Sequence, residues 1–288
     1  MLLKPFMNST LISKVGIGSV QFGLDYGISN KKGITNLKEV RLIVRLAREV
    51  GINLIDTAYG YGKSQDVLGK VGVNDFNVVS KFLPDSYGLS IKNQLESSLK
   101  SLKTTKLYGF LAHRPLDVIN KKNIWPYLID LKKAGVIQKA GISFNTPEEI
   151  YQVLSKGYIP DLIQVPYNYF DNRFRTIMID LKNCGCEIHS RSAFLQGLFF
   201  IPPDELGDHF NEAKPYITEL QKNKENLPRV LLKFCLQQPF IDKVIVGVNN
   251  LAQLLENISD IEIQDDLPEF KNHIDHKILT PSEWPKTN

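Results

Sequence analysis

An α/β chain closed into a single (β/α)8 barrel, the TIM-barrel class, is what this sequence predicts, and three observations carry the prediction. Strand-like and helix-like segments alternate eight times from one end to the other. No change of composition divides the chain, so residues 1–288 read as one domain. The length of 288 residues suits a fold that typically takes about 250. Eight regular units close into a barrel more readily than they fan out as an open doubly wound sheet.

The elements follow in order. VGIGSVQFG (15–23) reads as the first strand, punctuated by glycine. LKEVRLIVRLAREVG (37–51) has apolar residues at three- and four-residue spacing and closes on Gly51, the pattern of a helix with its C-terminal cap. GINLIDTA supplies the second strand and SQDVLGKVG a short helix. FNVVSKF is the third strand, and LSIKNQLESSLKSLK (89–103) is an amphipathic helix. LYGFLAH is followed by IWPYLIDLKKAG (124–135), the fourth strand and helix. QKAGISF precedes a helix whose start is marked by Thr146 and, three residues on, Glu149 as a capping box. DLIQVPYN (161–168) and FRTIMIDLKNCG (174–185) make the sixth unit, and CEIHSRSAF (186–194) is the seventh strand. An insertion over 196–226 separates that strand from its helix, PRVLLKFCLQQ (228–238). DKVIVGVN and LAQLLENISD complete the eighth unit. Residues 268–288 form a polar tail with His273, His276 and Trp284, expected over the barrel surface or near its mouth.

Barrels of this class carry their sites where the strands end at the C-terminal face. That rule selects Gly18 and Ser19, Asp56, Lys81, His113, Ser143, Gln164 and Asn168, Arg191 and Ser192, then Gly247 and Asn249. The run DTAYGYG (56–62) adds Tyr61 on the loop above Asp56. Bland strand ends would hold Gly, Asn, Asp and Ser alone. Asp56, Tyr61, Lys81 and His113 together suggest an acid–base site built around a tyrosine. A free phenol titrates near pH ~10, too high for a ready acid at neutral pH. An ammonium nearby favours the phenolate, a role open to Lys81, with Asp56 keeping that lysine charged. His113 can donate to a substrate oxygen.

Composition narrows the alternatives. With 43% apolar and 23% charged residues and a net charge of +4, the sequence is that of a globular protein without a clustered basic face. Lys121-Lys122, the densest basic stretch, reads as a solvated helix start, so no nucleic acid is expected as a partner. No apolar run approaches the ~20 residues of a membrane span. The N-terminal MLLKPFMNSTLISK lacks the apolar core of a secretion signal. Cys184, Cys186 and Cys235 read as reduced, packed thiols rather than a metal site, and the expected location is cytoplasmic.

Taken in order, DTAYGYGKSQDVLG, VVSK, LAHRP, GISF, QVPYN, FLQGLFF and GVNNLAQLLEN resemble the aldo-keto reductase superfamily over nearly the whole chain. The resemblance implies a nicotinamide-dependent enzyme that reduces an aldehyde or ketone without metal, and assigns catalysis to Asp56, Tyr61, Lys81 and His113. It places Ser143 and Gln164 on the nicotinamide carboxamide, with Gly18, Ser19 and Asp56 also among the cofactor-binding residues. Ser192, Leu195 and Gly197 fall on the segment that wraps the pyrophosphate. Gly247, Asn249, Asn250, Gln253, Glu256 and Asn257 match the adenosine end.

Two positions depart from the family pattern. Arg191 stands where an aromatic residue usually stacks on the nicotinamide, and is expected on that ring or on an anionic substrate. Gln253 replaces an arginine that holds the cofactor's 2′-phosphate, with no lysine in the loop before it. The resemblance still puts NADP(H) ahead of NAD(H). Phe22, Tyr26, Arg114 and Tyr167 are expected to line the mouth for a small carbonyl substrate, such as a sugar derivative. HSRSAFLQGLFF is similar to a divergent bacterial subgroup, some of whose members accompany surface-sugar genes. A cofactor-binding regulatory protein that keeps the fold and acts through protein contacts is the rival reading. A Schiff-base aldolase using Lys81 is disfavoured, because Asp56 and Tyr61 are expected to keep that lysine protonated, whereas an amine nucleophile needs a depressed pKa. Oligomeric state is not legible.

Overall fold

The structure, a computed structural model, describes residues 10–84, 88–223, 225–262, 265, 267–270 and 272–285. Residues 1–9 of the N-terminal segment, Lys224 of the expected insertion, and 271 and 286–288 of the expected tail lie outside the described residues.

Eight parallel strands pair in sequence order and close on themselves. They are β1 (Val15–Gly18), β2 (Leu54–Asp56), β3 (Asn77–Phe82), β4 (Leu107–Ala112), β5 (Ile137–Ser143), β6 (Leu162–Pro166), β7 (Glu187–Arg191) and β8 (Lys243–Gly247). Closure is made by β1 on β8, with Val15 opposite Val244 and Gly18 opposite Gly247. Side chains alternate between the two faces of a strand, so each strand contributes one set to the barrel interior and the other to the helices.

The interior set is identified by its packing. Leu54, Val79, Leu111, Leu162 and Ile245, from five strands, form a cluster of their own inside the barrel. Below it, toward the strand starts, the Glu187 carboxylate accepts from Tyr108 at 2.6 Å and pairs with Lys139 at 2.9 Å and His189 at 2.7 Å. The alternate residues, among them Ile17, Ile55, Val78, Phe110 and Ile163, join the larger core under the helices.

The helices are α1 (Leu37–Glu49), α2 (Ser64–Val71), α3 (Ile91–Leu102), α4 (Pro115–Asn120), α5 (Ile124–Lys133), α6 (Pro147–Leu154), α7 (Arg175–Asn183), α8 (Lys214–Leu220), α9 (Leu227–Leu236), α10 (Leu251–Ile258) and α11 (His276–Leu279). Several of their starts are set by side-chain capping. Asn36, Ser90, Thr146 and Asn250 each accept from a backbone N–H in the first turn, and Thr146 with Glu149 forms the full capping box.

Three expectations change. The first strand stops at Gly18, and Val20–Phe22 is a 3-10 turn. The seventh stops at Arg191, because Ser192 takes φ 64, a left-handed conformation that cannot continue a strand. An extra helix, α4, precedes α5, and Lys121 caps its end. Past β7 the chain runs through 3-10 turns at Leu195–Phe200, Pro203–Glu205 and Asp208–Phe210 before α8. The tail packs on this segment: Trp284 lies edge-on to Phe210 at 5.1 Å, and Ile274, Ile278 and Leu279 join Leu206 and Ala213 in a second apolar cluster.

Helix α2 approaches α3 so closely that a Cβ at Gly69 would stand 1.9 Å from the Ser101 carbonyl oxygen. Alanine would gain up to ~1 kcal/mol of helix propensity. The clash is with backbone, which cannot rotate away, and overpacking of this kind costs about 1–3 kcal/mol. Gly69→Ala is therefore expected to lower the urea midpoint; an unchanged or higher midpoint would show that the helix pair can separate freely.

Candidate active site

The period-two alternation that fills the barrel also builds the site. Asp56 stands two residues beyond interior Leu54, Lys81 two beyond Val79, His113 two beyond Leu111, Gln164 two beyond Leu162, and Gly247 two beyond Ile245. All five therefore face inward at the strand ends, above the apolar layer.

The loop carrying Tyr61 is tied to β3 by Thr57 N–H to Val79 O at 2.8 Å and Tyr59 N–H to Lys81 O at 2.9 Å. It also rests against Gly23, where a Cβ would come within 2.0 Å of the Tyr61 carbonyl oxygen, so only glycine lets the β1 loop pass. A buried hydroxyl set secures the base of the loop, with the Ser64 hydroxyl 2.8 Å from both the Ser19 hydroxyl and the Ser19 carbonyl.

At the centre, Lys81 Nζ donates to Asp56 Oδ1 at 2.5 Å and to the Thr57 carbonyl at 3.2 Å. Both side chains are almost fully buried, at 1% and 4% exposure. Asp56 Oδ2 accepts from Gln164 Nε2 at 2.8 Å, so both carboxylate oxygens are held. Lys81 Nζ lies 5.2 Å from the centre of the Tyr61 ring, and the His113 ring meets that ring edge-on at 5.8 Å.

The electrostatics differ from the expectation that Lys81 lowers the acidity threshold of Tyr61. Burial, and then the Asp56 carboxylate, hold the phenol above the usual tyrosine range, and Arg191 is the cation that opposes them. The physical reason is that Lys81 is matched by Asp56 at contact distance, so the pair presents little net charge to the phenol. Burial also lowers the Lys81 ammonium from the usual lysine range, with Asp56 opposing that shift. Tyr61 is thus a protonated phenol throughout the neutral range.

Burial, with the positive charges of Lys81, Arg191 and Arg114, holds His113 at about 3, so its imidazole is neutral at physiological pH. The unfolded chain titrates this residue near 6.5. Between those values the unfolded state binds the extra proton, so this contribution to stability is complete above 6.5 and is lost as pH falls toward 3. Unfolding titrations at pH 7 and pH 5 are expected to show a smaller acid-induced loss for His113→Gln than for the native chain. An equal loss in both would remove His113 as the source.

A cavity of about 520 Å³ opens beside these groups. It runs from Tyr61, Arg191 and Tyr26, along the ends of β1, β7 and β8, to the first turns of α10. Of the predicted residues, Gly18, Ser19, Asp56, Tyr61, Gln164, Arg191, Ser192, Gly197, Gly247, Asn249, Gln253, Glu256, Asn257 and Tyr26 line it. Lys81 is wholly buried, and Ser143 is buried at the end of β5.

Other predicted residues are placed elsewhere. Phe22 ends the 3-10 turn and is buried in the main core. Tyr167 follows Gln164 and Pro166 on the alternation and so points outward, stacked on Phe234 at 5.7 Å and edge-on to Phe240 at 5.9 Å. The same alternation turns His113 inward and Arg114 outward, leaving Arg114 exposed and off the cavity wall. Leu195 is buried in the second apolar cluster, and the Asn250 side chain caps α10. Neither Leu195 nor Asn250 lines the cavity.

Sequence reasoning missed Gln21, Ser29, Asn30, Gln196, Phe200 and Gln221 on the cavity wall. Their positions depend on how the loops after β1 and β7 meet: Ile28 N–H donates to the Gln196 carbonyl at 3.1 Å, 168 residues apart in the chain being no guide to that contact. Arg191 is anchored to the loop after β5, donating to the Phe144 carbonyl at 3.0 Å and Asn145 Oδ1 at 2.7 Å. Both acceptors are neutral.

No group of three or more His, Cys, Asp or Glu among the described residues could hold a metal ion. None of their helices is long and apolar enough to cross a membrane.

Comparison with known proteins agrees with this architecture. The chain is 32% identical over 139 residues to the uncharacterised oxidoreductase Rv2298 of Mycobacterium tuberculosis, a match that covers 46% of this chain and only 42% of that protein. It is 27% identical over 295 residues to aldo-keto reductase YhdN of Bacillus subtilis, covering 88% of each. In fold it is similar to an aldo-keto reductase from Klebsiella pneumoniae solved in complex with NADPH, with a TM-score of 0.65 and 17% identity over 87% of this chain and 86% of that one. The sequence model of the aldo/keto reductase family matches residues 14–273, and the chain belongs to that family.

Proposed function

We propose that this protein reduces an aldehyde or ketone with a nicotinamide cofactor, Tyr61 acting as the proton donor. The observation that carries this reading is the buried Asp56–Lys81 pair, with Oδ1 and Nζ 2.5 Å apart beside a protonated Tyr61 and a neutral His113. Lys81 and Asp56 supply a fixed, nearly neutral dipole that holds the phenol in place. The Tyr61 hydroxyl gives its proton to the oxygen of the carbonyl as negative charge develops there. His113 can donate one hydrogen bond to the same oxygen and cannot compete as the acid, because it carries no spare proton at neutral pH.

The cavity suits a dinucleotide. Gly18 and Gly247 form its floor, and a Cβ at residue 247 would meet the Gln21 side chain at 2.4 Å. Gln21 Oε1 on the cavity wall and His113 Nδ1 beside Tyr61, itself off that wall, are buried without a protein partner, as groups awaiting a polar ligand would be. Gln164 and Ser143 would hold the nicotinamide amide, and Asn257 and Glu256 the adenine end. When bound, the cofactor supplies the hydride. Arg191, bonded only to neutral acceptors, leaves net positive charge at the mouth, which favours anionic or polyhydroxylated carbonyls.

The test is consumption of reduced cofactor with a carbonyl panel that includes oxo acids and sugar aldehydes. Turnover by the native chain is expected. Absence of turnover with every carbonyl, at cofactor levels that saturate binding, would sink the reading.

A further inference from the structure

From the setting of its guanidinium we infer that Arg191 holds a carboxylate on the carbon next to the reacting carbonyl, so that the substrate is a 2-oxo acid and the product a 2-hydroxy acid. The inference rests on the reductase reading above and narrows its substrate class.

Arg191 is held before any ligand arrives. Its own carbonyl accepts from Tyr167 N–H at 3.0 Å, and the Ser192 carbonyl accepts from Asn168 Nδ2 at 3.1 Å, which fixes the end of β7. Nη2 donates to the Phe144 carbonyl and to Asn145 Oδ1, and Nη1 makes one long contact with the Ser192 hydroxyl at 3.4 Å. A guanidinium carries five N–H donors. The two on Nη2 are taken by the anchor, while Nε and the other N–H of Nη1 have no partner among the described residues. They belong to a side chain on the cavity wall. An anion bound there meets donors that are already oriented, so little side-chain freedom is lost on binding.

The charge is unmatched. Among the described residues that line the cavity, the charged ones are Asp56, Arg191 and Glu256. Both oxygens of Asp56 are held, by Lys81 and Gln164, and Glu256 belongs to α10 at the other end. A carboxylate answers the Arg191 charge with a charge-assisted hydrogen bond, and a sugar hydroxyl does not.

The place of the guanidinium sets the spacing. Ala112 of β4 lies opposite Ile142 of β5, so His113 stands beside Ser143, one residue before Phe144. Neighbouring strands run about 4.8 Å apart. Nη2, bonded to the Phe144 carbonyl, is therefore roughly one strand spacing from His113, whose ring meets that of Tyr61 edge-on at 5.8 Å. Burial is the main cause of the raised Tyr61 and Tyr26 phenols and of the lowered His113 imidazole; the Arg191 charge acts on all three, opposing the first two shifts and adding to the third. A carbonyl oxygen taken up by Tyr61 and His113 thus leaves room for one further carbon before the guanidinium. That is the spacing of a 2-oxo acid. In the reduction the C=O π bond breaks, a C–H bond forms with the hydride of the reduced cofactor, and an O–H bond forms with the Tyr61 proton. The carboxylate stays on Arg191 unchanged, and the Tyr61 phenolate regains its proton from solvent.

The test compares kcat/KM of the full native chain for 2-oxo acids and for their amides, which match in shape and differ in charge. The acids are expected to be preferred by roughly tenfold or more, the ratio that one hydrogen bond to a charged group produces. Arg191→Gln removes the charge and is expected to lower this acid-to-amide ratio by at least about tenfold. Loss of a stacking contact with the nicotinamide would instead slow acid and amide alike and leave the ratio where it was. Should the variant misfold, the ratio of the native chain decides. A native ratio below that expected, or one that a folded Arg191→Gln leaves unchanged, would overturn the inference, while turnover of the amides or of neutral aldehydes keeps the reductase reading standing. Absence of turnover with every carbonyl would overturn the two together.

Discussion

Replacing Tyr61 with Phe is expected to lower carbonyl reduction by at least ~100-fold, the lower range for loss of a general acid. The ring would remain, edge-on to His113 and over the Lys81 ammonium, so the loop and the cavity keep their shape. Only the hydroxyl is lost. Cofactor affinity is therefore expected to stay within about twofold, since binding and proton transfer use different atoms. His113 cannot take over, being held at about 3 and neutral at physiological pH. Steady-state rates and cofactor titrations on the same preparation separate the effects. Native-like turnover in Tyr61→Phe would remove the tyrosine from the chemistry, and a large loss of cofactor binding would recast its role as structural.

The largest expected effect on stability belongs to Lys81. Lys81→Met leaves the Asp56 carboxylate buried with Gln164 as its remaining side-chain partner. Breaking a buried pair in this way costs about 3–5 kcal/mol, because the orphaned charge keeps its desolvation penalty and loses its compensation. The Asp56→Asn, Lys81→Met double variant removes both charges and is expected to recover much of that loss while remaining inactive. Urea unfolding of the single and double variants supplies the comparison. A single variant within ~1 kcal/mol of the native chain would mean that Asp56 finds water or another cation. A double variant less stable than the single one would mean that Asp56 still contributes without the lysine, so that an orphaned charge is not the source of the loss. Together with the tyrosine variant, this distinguishes a group that moves a proton from groups that hold it in place.

Much of the candidate site was legible because a barrel strand has a fixed period. Once LID, VVSK and LYGFLA are recognised as strands ending at one face, Asp56, Lys81 and His113 follow at two-residue steps from Leu54, Val79 and Leu111. The same rule could have excluded two expected substrate residues. Counting from Gln164 turns Tyr167 outward, and counting from His113 turns Arg114 outward. Reading them as mouth residues gave weight to proximity in sequence over the side to which each strand position points. Phe22 had no such signal, because the turn at Val20–Phe22 breaks the period just before it.

The order of strands and helices, the caps at Asn36, Ser90, Thr146 and Asn250, and the inward residues at the strand ends are local properties. Each depends on backbone geometry over a few residues, so the sequence by itself determines them. The remainder belongs to contacts between distant segments, which no local period encodes. The meeting of Ile28 with Gln196 brings the two loops of the cavity wall together. The bond from Arg191 to Asn145 sets where the positive charge stands. The neutralisation of Lys81 by Asp56 reverses the expected effect on Tyr61, because the net field at a buried group is a sum over all neighbours and not the charge of one. The bond from Leu251 N–H, at the start of α10, to the Glu39 carboxylate is the furthest of these, decided only when closure of the barrel lays the first helix against the last of its ring.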